Sequence, residues 1–122
     1  MPYDWGPHYI VPTETLKTYS GQVLLRENYD DNLLAKELEE LNLTGNVVRV
    51  NNPWYYRKKG TATWIKIGES SNRAENFPVR WDTTGIPNGK CEVLGLMHVS
   101  VSKGNMEYTI ARQNIIEVAV KN

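Results

Sequence analysis

The side chains most suited to catalysis are one cysteine, two histidines and two adjacent pairs of carboxylates. Cys91 has no second cysteine with which to form a disulfide, and neither His8 nor His98 is spaced as its catalytic partner. The histidines also lack cysteine or carboxylate residues at metal-ligand spacing. The pairs Asp30–Asp31 and Glu39–Glu40 are typical of a helix cap and a solvated helix face. We therefore expect a non-catalytic protein with no metal or other cofactor, in which Cys91 is a small buried residue on a strand.

Aromatic side chains offer binding chemistry instead. The chain has four Trp and seven Tyr against one Phe, and the densest aromatic group is Trp54, Tyr55, Tyr56 and Trp64. On a β-hairpin, alternate members of such a group point to opposite faces, so some belong to the core and others can be exposed. Exposed Trp and Tyr rings stack on sugars or anchor protein contacts. These four residues are therefore candidates for binding a carbohydrate or a partner protein.

The strand pattern from residue 90 to residue 101 leaves two leucines on an otherwise polar face. Leu94 and Leu96 alternate out of phase with the apolar face of this strand, and Ile115 is out of phase in the last strand. We expect the N-terminal segment or a helix to cover these side chains. The alternative is that Leu94, Leu96 and Ile115 form an interface with a partner protein. The apolar face itself contains Cys91, Val93, Met97, Val99 and Val101.

The secondary structure predicted for the chain differs between its N-terminal part and the region after residue 46. The length of 122 residues is typical of a single domain. Residues 1–20 are rich in proline and aromatic residues, which predicts an extended lead-in. Residues 21–45 contain a short strand at Gln22–Arg26 and a helix at Asp30–Leu41, whose leucines share one face. The residues expected on the solvated face of this helix are Lys36, Glu37, Glu39 and Glu40.

From residue 46 the hydrophobic period changes to two, which predicts strands separated by turns. Asn46–Val50 is expected to end at Asn51–Pro53, and Pro78 is expected to place its strand at a sheet edge or a bulge. The remaining predicted strands are Trp54–Arg57 and Thr63–Ile67 around a turn at Gly60, then Phe77–Trp81, Cys91–Val101 and Tyr108–Val120.

Two segments of this region resemble a known family. Trp54–Gly68 is similar to the strand-turn-strand of bacterial immunoglobulin-like and fibronectin type III-like modules, and Val79–Lys90 resembles the next two strands of the same family. The resemblance implies an antiparallel immunoglobulin-like β-sandwich over residues 46–122. The short N-terminal helix, predicted from its leucine spacing, is not part of the family pattern. The resemblance also implies a non-catalytic accessory module of a secreted or cell-surface bacterial protein, in contact with carbohydrate or a neighbouring catalytic domain.

Charge and hydropathy limit the partners and the location. Lys plus Arg and Asp plus Glu both number 14, so the net charge of zero argues against nucleic-acid binding. No apolar run is long enough for membrane insertion. The chain is expected outside the cell if it is excised from a longer protein, and in the cytoplasm if Met1 is the true start. The alternative function is a stand-alone subunit or adaptor that binds a partner protein through Leu94, Leu96 and Ile115.

Overall fold

The computed structural model describes residues 3–5, 9–11 and 18–122. His8 and most of the expected lead-in lie outside the described residues. The described chain is mainly β, with antiparallel sheets and one α-helix, as the sequence predicts. The helix α1 spans Asp31–Glu40, and a short 3₁₀ helix spans Arg73–Glu75. The strands are β1 (Tyr3–Asp4), β2 (Ile10–Val11), β3 (Thr18–Tyr19), β4 (Gln22–Glu27), β5 (Asn46–Lys58), β6 (Ile65–Ser70), β7 (Val79–Asp82), β8 (Gly89–Lys103) and β9 (Met106–Val120).

These strands form two sheets. The larger sheet has the order β1-β9-β8-β5-β6, with β3 also paired to β9, and the smaller sheet has the order β2-β4-β7. Pairing is antiparallel except at β1 and β3, which run parallel to β9. Because β1 and β3 belong to the larger sheet and β2 to the smaller, the N-terminal chain passes from one sheet to the other and back.

The helix lies where the leucine spacing predicts it. Asp30 caps its N-terminus, since the Asp30 carboxylate accepts a hydrogen bond from the Leu33 amide at 3.0 Å. Leu34 and Leu38 are buried. The expectation that Glu37 faces solvent is wrong, because the Glu37 side chain is buried in an ion pair with Arg112 of β9.

Two predictions about proline in strands have different outcomes. The strand expected to end at Asn51–Pro53 continues to Lys58. Its pairing with β8 skips Asn52 and Pro53, so the N–H that Pro53 lacks is not needed for that ladder. The prediction that Pro78 places its strand at an edge is confirmed, because β7 begins immediately after Pro78 at the end of the smaller sheet.

The two sheets differ in strand length, and this divides the core. β5, β8 and β9 have 13, 15 and 15 residues, whereas β4 and β7 have six and four. The smaller sheet therefore covers only part of the inner face of the larger one. That part contains Trp54, Cys91, Val93, Ile116, Val118 and Val120, packed against Val23, Leu25, Val79 and Trp81.

Helix α1 covers a second part of the same inner face. Leu34 and Leu38 pack against Met97, Val99 and Val101 of β8. The helix therefore lies on the face opposite Leu94 and Leu96, and it does not cover those leucines. The other cover expected for them, the N-terminal lead-in, lies largely outside the described residues. Within the described ranges, no helix is long and apolar enough to cross a membrane.

Candidate functional site

The four candidate aromatic residues divide between the two faces of the larger sheet. Trp54 is fully buried in the core, and its indole N–H donates a hydrogen bond to the Phe77 carbonyl at 3.2 Å. Tyr56 is half-buried on the same inner face, with its ring 5.2 Å from that of Trp81. Trp54 therefore has no surface to offer a ligand, and Tyr56 is available only at one end of the core.

The other two aromatic residues lie away from the core. Tyr55 is half-buried on the outer face, which is the face of the larger sheet turned away from the smaller sheet and α1. Trp64 is also half-buried, and the Arg57 guanidinium lies 4.1 Å from the centre of its ring. Arg57 in turn donates to the Glu92 carboxylate at 3.0 Å, so the stacked cation is held in place.

Three apolar side chains form a row across the outer face, which we call the open row. Tyr55 of β5 is paired with Leu94 of β8, and Leu94 is paired with Ile115 of β9. Ile115 is 37% exposed and Tyr55 is half-buried, whereas Leu94 at the centre is buried. Leu96, two residues further along β8, is half-buried opposite Gln113. The structure therefore brings Tyr55 together with all three candidate interface residues.

Polar pairs flank the open row. On one side, Arg57 pairs with Glu92, and Lys59 pairs with Glu117. On the other side lies the half-buried His98, between Asn51 and Ala111 of the neighbouring strands. An apolar centre with a polar rim is the usual arrangement of a protein-binding surface.

A second concentration of functional groups lies inside the fold, at the border between the two parts of the core. The buried polar cluster consists of Glu27, Glu37, Asn52, Arg112 and Asn114, and all five side chains are buried. The Asn114 amide donates to the Glu27 carboxyl, joining the end of β4 to β9. Burial raises the pKa of Glu27 to about 8, against the opposing effects of Asn114, Arg112 and Asn52. Glu27 is therefore protonated through the neutral pH range.

The charged members of this cluster attach α1 to the larger sheet. The Arg112 guanidinium donates from Nη2 to Glu37 at 2.9 Å, and its Nε lies 2.9 Å from the second carboxylate oxygen without hydrogen-bond geometry. The Trp5 ring lies 3.3 Å from the guanidinium carbon. Burial lowers the pKa of Arg112, and the adjacent Glu37 carboxylate opposes that shift. The pair is thus enclosed on two sides and serves to hold the helix.

The buried polar cluster is not among the sites predicted above, although the positions of its residues along β4 and β9 indicate it. Arg112 and Asn114 are in phase with the buried residues Ile116, Val118 and Val120, and Glu27 is in phase with Val23 and Leu25. A polar residue in phase with a buried apolar stripe indicates a buried polar contact.

The candidates for catalysis and metal binding are described as far as Cys91 and His98, since His8 lies outside the described residues. Cys91 is buried on β8, and burial raises the pKa of its thiol, which keeps the nucleophilic thiolate scarce. Among residues 3–5, 9–11 and 18–122, no group of three or more His, Cys, Asp and Glu residues is placed to hold a metal ion. No family model, curated protein or solved structure matches the chain.

Proposed function

We propose that this chain is a non-catalytic binding module that engages a partner protein through the open row and Leu96. The observation that carries the proposal is the row itself, in which Tyr55, Leu94 and Ile115 cross three adjacent strands on the face that α1 leaves uncovered. Sheet residues that face solvent are ordinarily polar, so an apolar row with a polar rim fits a contact surface.

We further propose that the module is an immunoglobulin-like or fibronectin type III-like β-sandwich. The two motifs that carry the resemblance fall on β5–β6 and on β7 with the turn that follows it. From β3 onward, the connections β3 to β4, β4 to β5, β6 to β7 and β7 to β8 cross between the sheets. Crossings of this kind support the proposal, because such modules have Greek-key connections. Membership of a secreted or cell-surface bacterial protein is proposed on the motif resemblance alone.

A protein partner is better supported than a carbohydrate. A sugar needs an exposed ring face on which to stack, and Trp54 and Tyr56 are turned toward the core. The Trp64 ring already carries the Arg57 guanidinium. Of the four candidate aromatic residues, Tyr55 is the one left with its ring open on the outer face, and it lies beside aliphatic side chains that suit a protein contact.

A site-specific crosslinking experiment tests this proposal. A photoreactive phenylalanine analogue is introduced at Ile115 in one variant and at Leu24 in the other, within cells that naturally make the protein. Leu24 is a matched control, since it is 48% exposed on β4 of the smaller sheet. We expect a discrete protein adduct from position 115 that is absent from position 24, and identical adduct patterns would contradict the proposal.

The partner recovered in this way is then measured as a purified protein. We expect Ile115→Glu to weaken its binding at least tenfold, because a carboxylate is inserted into the apolar contact surface beside Leu94. Leu24→Glu introduces the same charge elsewhere and should leave the affinity unchanged. Unchanged binding by Ile115→Glu, with the variant folded by circular dichroism, would overturn the assignment of the open row.

A further inference from the structure

The strands of the smaller sheet are shorter than those of the larger sheet, and this leaves one end of the core uncovered. Helix α1 covers the part of the inner face beyond β4, but at the opposite end the smaller sheet stops with β7 at Asp82. Tyr56 and Cys91 lie there on the inner face, and Ile65, paired with Tyr56, is 49% exposed. Apolar side chains therefore reach the surface on the face opposite the open row.

A cavity of about 430 Å³ occupies this position, and we call it the end pocket. Its floor is formed by Tyr56 and Cys91, and its walls by Ile65 and by Ile86 of the loop between β7 and β8. This volume is within the size range of small-molecule sites.

The charge at the end pocket is positive and comes from Lys58. Lys58 is the one charged residue in its lining, and it has no ion-pair partner within the described part of the chain. Lys58 pairs in register with Cys91 at the floor, and its positive charge acts there by lowering the thiol pKa against the effect of burial. The hydroxyls of Thr61 and Thr63 complete the rim, with Thr61 Oγ1 donating to the Lys58 carbonyl at 2.6 Å.

We propose that the end pocket binds a small carboxylate with an apolar body, such as an arylalkanoate. The apolar body lies against Tyr56, Ile65 and Ile86, and the carboxylate lies at the rim beside the Lys58 ammonium. An uncharged apolar molecule would form no ion pair with Lys58, and an amine would be repelled by its positive charge. The site is separate from the open row, since the two lie on opposite faces of the larger sheet.

The experiment is a titration of the ¹⁵N-labelled full chain with 4-phenylbutyrate, followed by amide chemical shifts. Parallel titrations use 4-phenylbutan-1-ol and 4-phenylbutylamine, which replace the carboxylate by a neutral and a cationic group. We expect saturable shifts at Thr61, Ile86 and Cys91, with a Kd in the millimolar range usual for a ligand of this size. The alcohol should bind about two- to fivefold more weakly, because an exposed ion pair of the kind that the carboxylate forms with Lys58 contributes only a small free energy. The amine should bind more weakly still, because its charge has the same sign as that of Lys58.

Two variants locate the site. Lys58→Met should reduce carboxylate binding to that of the alcohol and leave the alcohol unaffected. Ile65→Glu should abolish carboxylate binding, whereas Leu24→Glu, of nearly equal exposure on the smaller sheet, should retain it.

Several results would overturn the proposal. They are shifts that do not saturate, shifts that map away from the pocket, equal binding of carboxylate and amine, or loss of binding in both glutamate variants. The Lys58→Met comparison remains decisive if Ile65→Glu does not fold. None of these outcomes depends on a partner at the open row, so failure here and failure of the proposed function are distinguishable.

Discussion

The Glu27 carboxyl lies directly over Gly95, at the centre of the strand β8. A Cβ atom built on Gly95 would be 2.8 Å from Glu27 Oε1 and 3.2 Å from the Trp54 ring. Gly95 is paired with Trp54 on one side and with Asn114 on the other. The absence of a side chain in this row therefore makes room for the buried polar cluster at the border of the two core regions.

Replacing this glycine should destabilise the fold. We expect Gly95→Ala to lower the free energy of unfolding by about 1–3 kcal/mol, since the new methyl group overpacks a site enclosed by Glu27 and Trp54. Urea denaturation measures the change. Gly85→Ala is the matched control, because nothing lies within 4 Å of a Cβ atom there, and it should change stability by less than about 0.5 kcal/mol. Equal effects of the two substitutions would contradict the close approach.

Glu27 should make stability depend on pH in an unusual direction. Its pKa rises from an ordinary 4.5 to about 8 on folding. Between these values the folded chain holds a proton that the unfolded chain has released, so the contribution of Glu27 is fully present below about pH 4.5 and is lost as the pH rises through about 8. The slope is about −1.4 kcal/mol per pH unit within that window.

The substitution Glu27→Gln isolates this contribution, because glutamine keeps the shape and remains neutral. We expect the variant and the wild type to have similar stability near pH 4.5, and the variant to be more stable above pH 8. Urea denaturation from pH 4.5 to 9 gives the comparison. Carboxylates with lowered pKa values, among them Asp30 and Asp82, are present in both proteins and cancel in the difference. Parallel pH profiles would show that Glu27 is not the titrating group.

Glu37 should be essential for burying Arg112. We expect Glu37→Gln to cost about 3–5 kcal/mol, because it leaves a fully buried guanidinium without an anionic partner. Glu39→Gln removes a carboxylate from the exposed face of the same helix and should have almost no effect. Thermal unfolding followed by circular dichroism measures both variants. A small loss for Glu37→Gln would mean that Arg112 finds water or another anion.

The helix cap offers a smaller and local effect. Asp30→Ala removes the acceptor for the Leu33 amide and for the Tyr9 hydroxyl, and we expect a loss of about 1 kcal/mol. Asn32→Ala leaves the cap intact at an exposed position of α1 and is expected to be neutral or slightly stabilising. Chemical denaturation distinguishes them, and equal losses would show that the Asp30 cap contributes nothing.

Periodicity predicted most of the fold. The leucine spacing placed a helix over Asp30–Leu41, and alternation indicated the long strands that became β8 and β9. The same alternation identified Leu94, Leu96 and Ile115 as out of phase. These predictions succeeded because they depend on which face of one element a residue occupies, and that is a local property of the chain.

The predictions that are wrong concern residues whose neighbours in space come from distant parts of the chain. Asn51–Pro53 indicated a strand end, but β5 continues because β6 pairs with the other side of this segment. The sequence predicts a solvated Glu37 because a carboxylate on a helix is normally solvated. The prediction fails because the partner that buries it, Arg112, is 75 residues away along the chain.

The sequence by itself determined the types of the elements from β4 to β9 and of α1, the apolar stripes and the identity of the out-of-phase residues. The tertiary structure alone decided that Tyr55 joins Leu94 and Ile115 in one row, that Trp54 is core, and that Glu27 lies over Gly95. The physical reason is that register and sheet-to-sheet stacking arise from pairing between distant segments. Contacts of that kind carry no periodic signal in a single sequence.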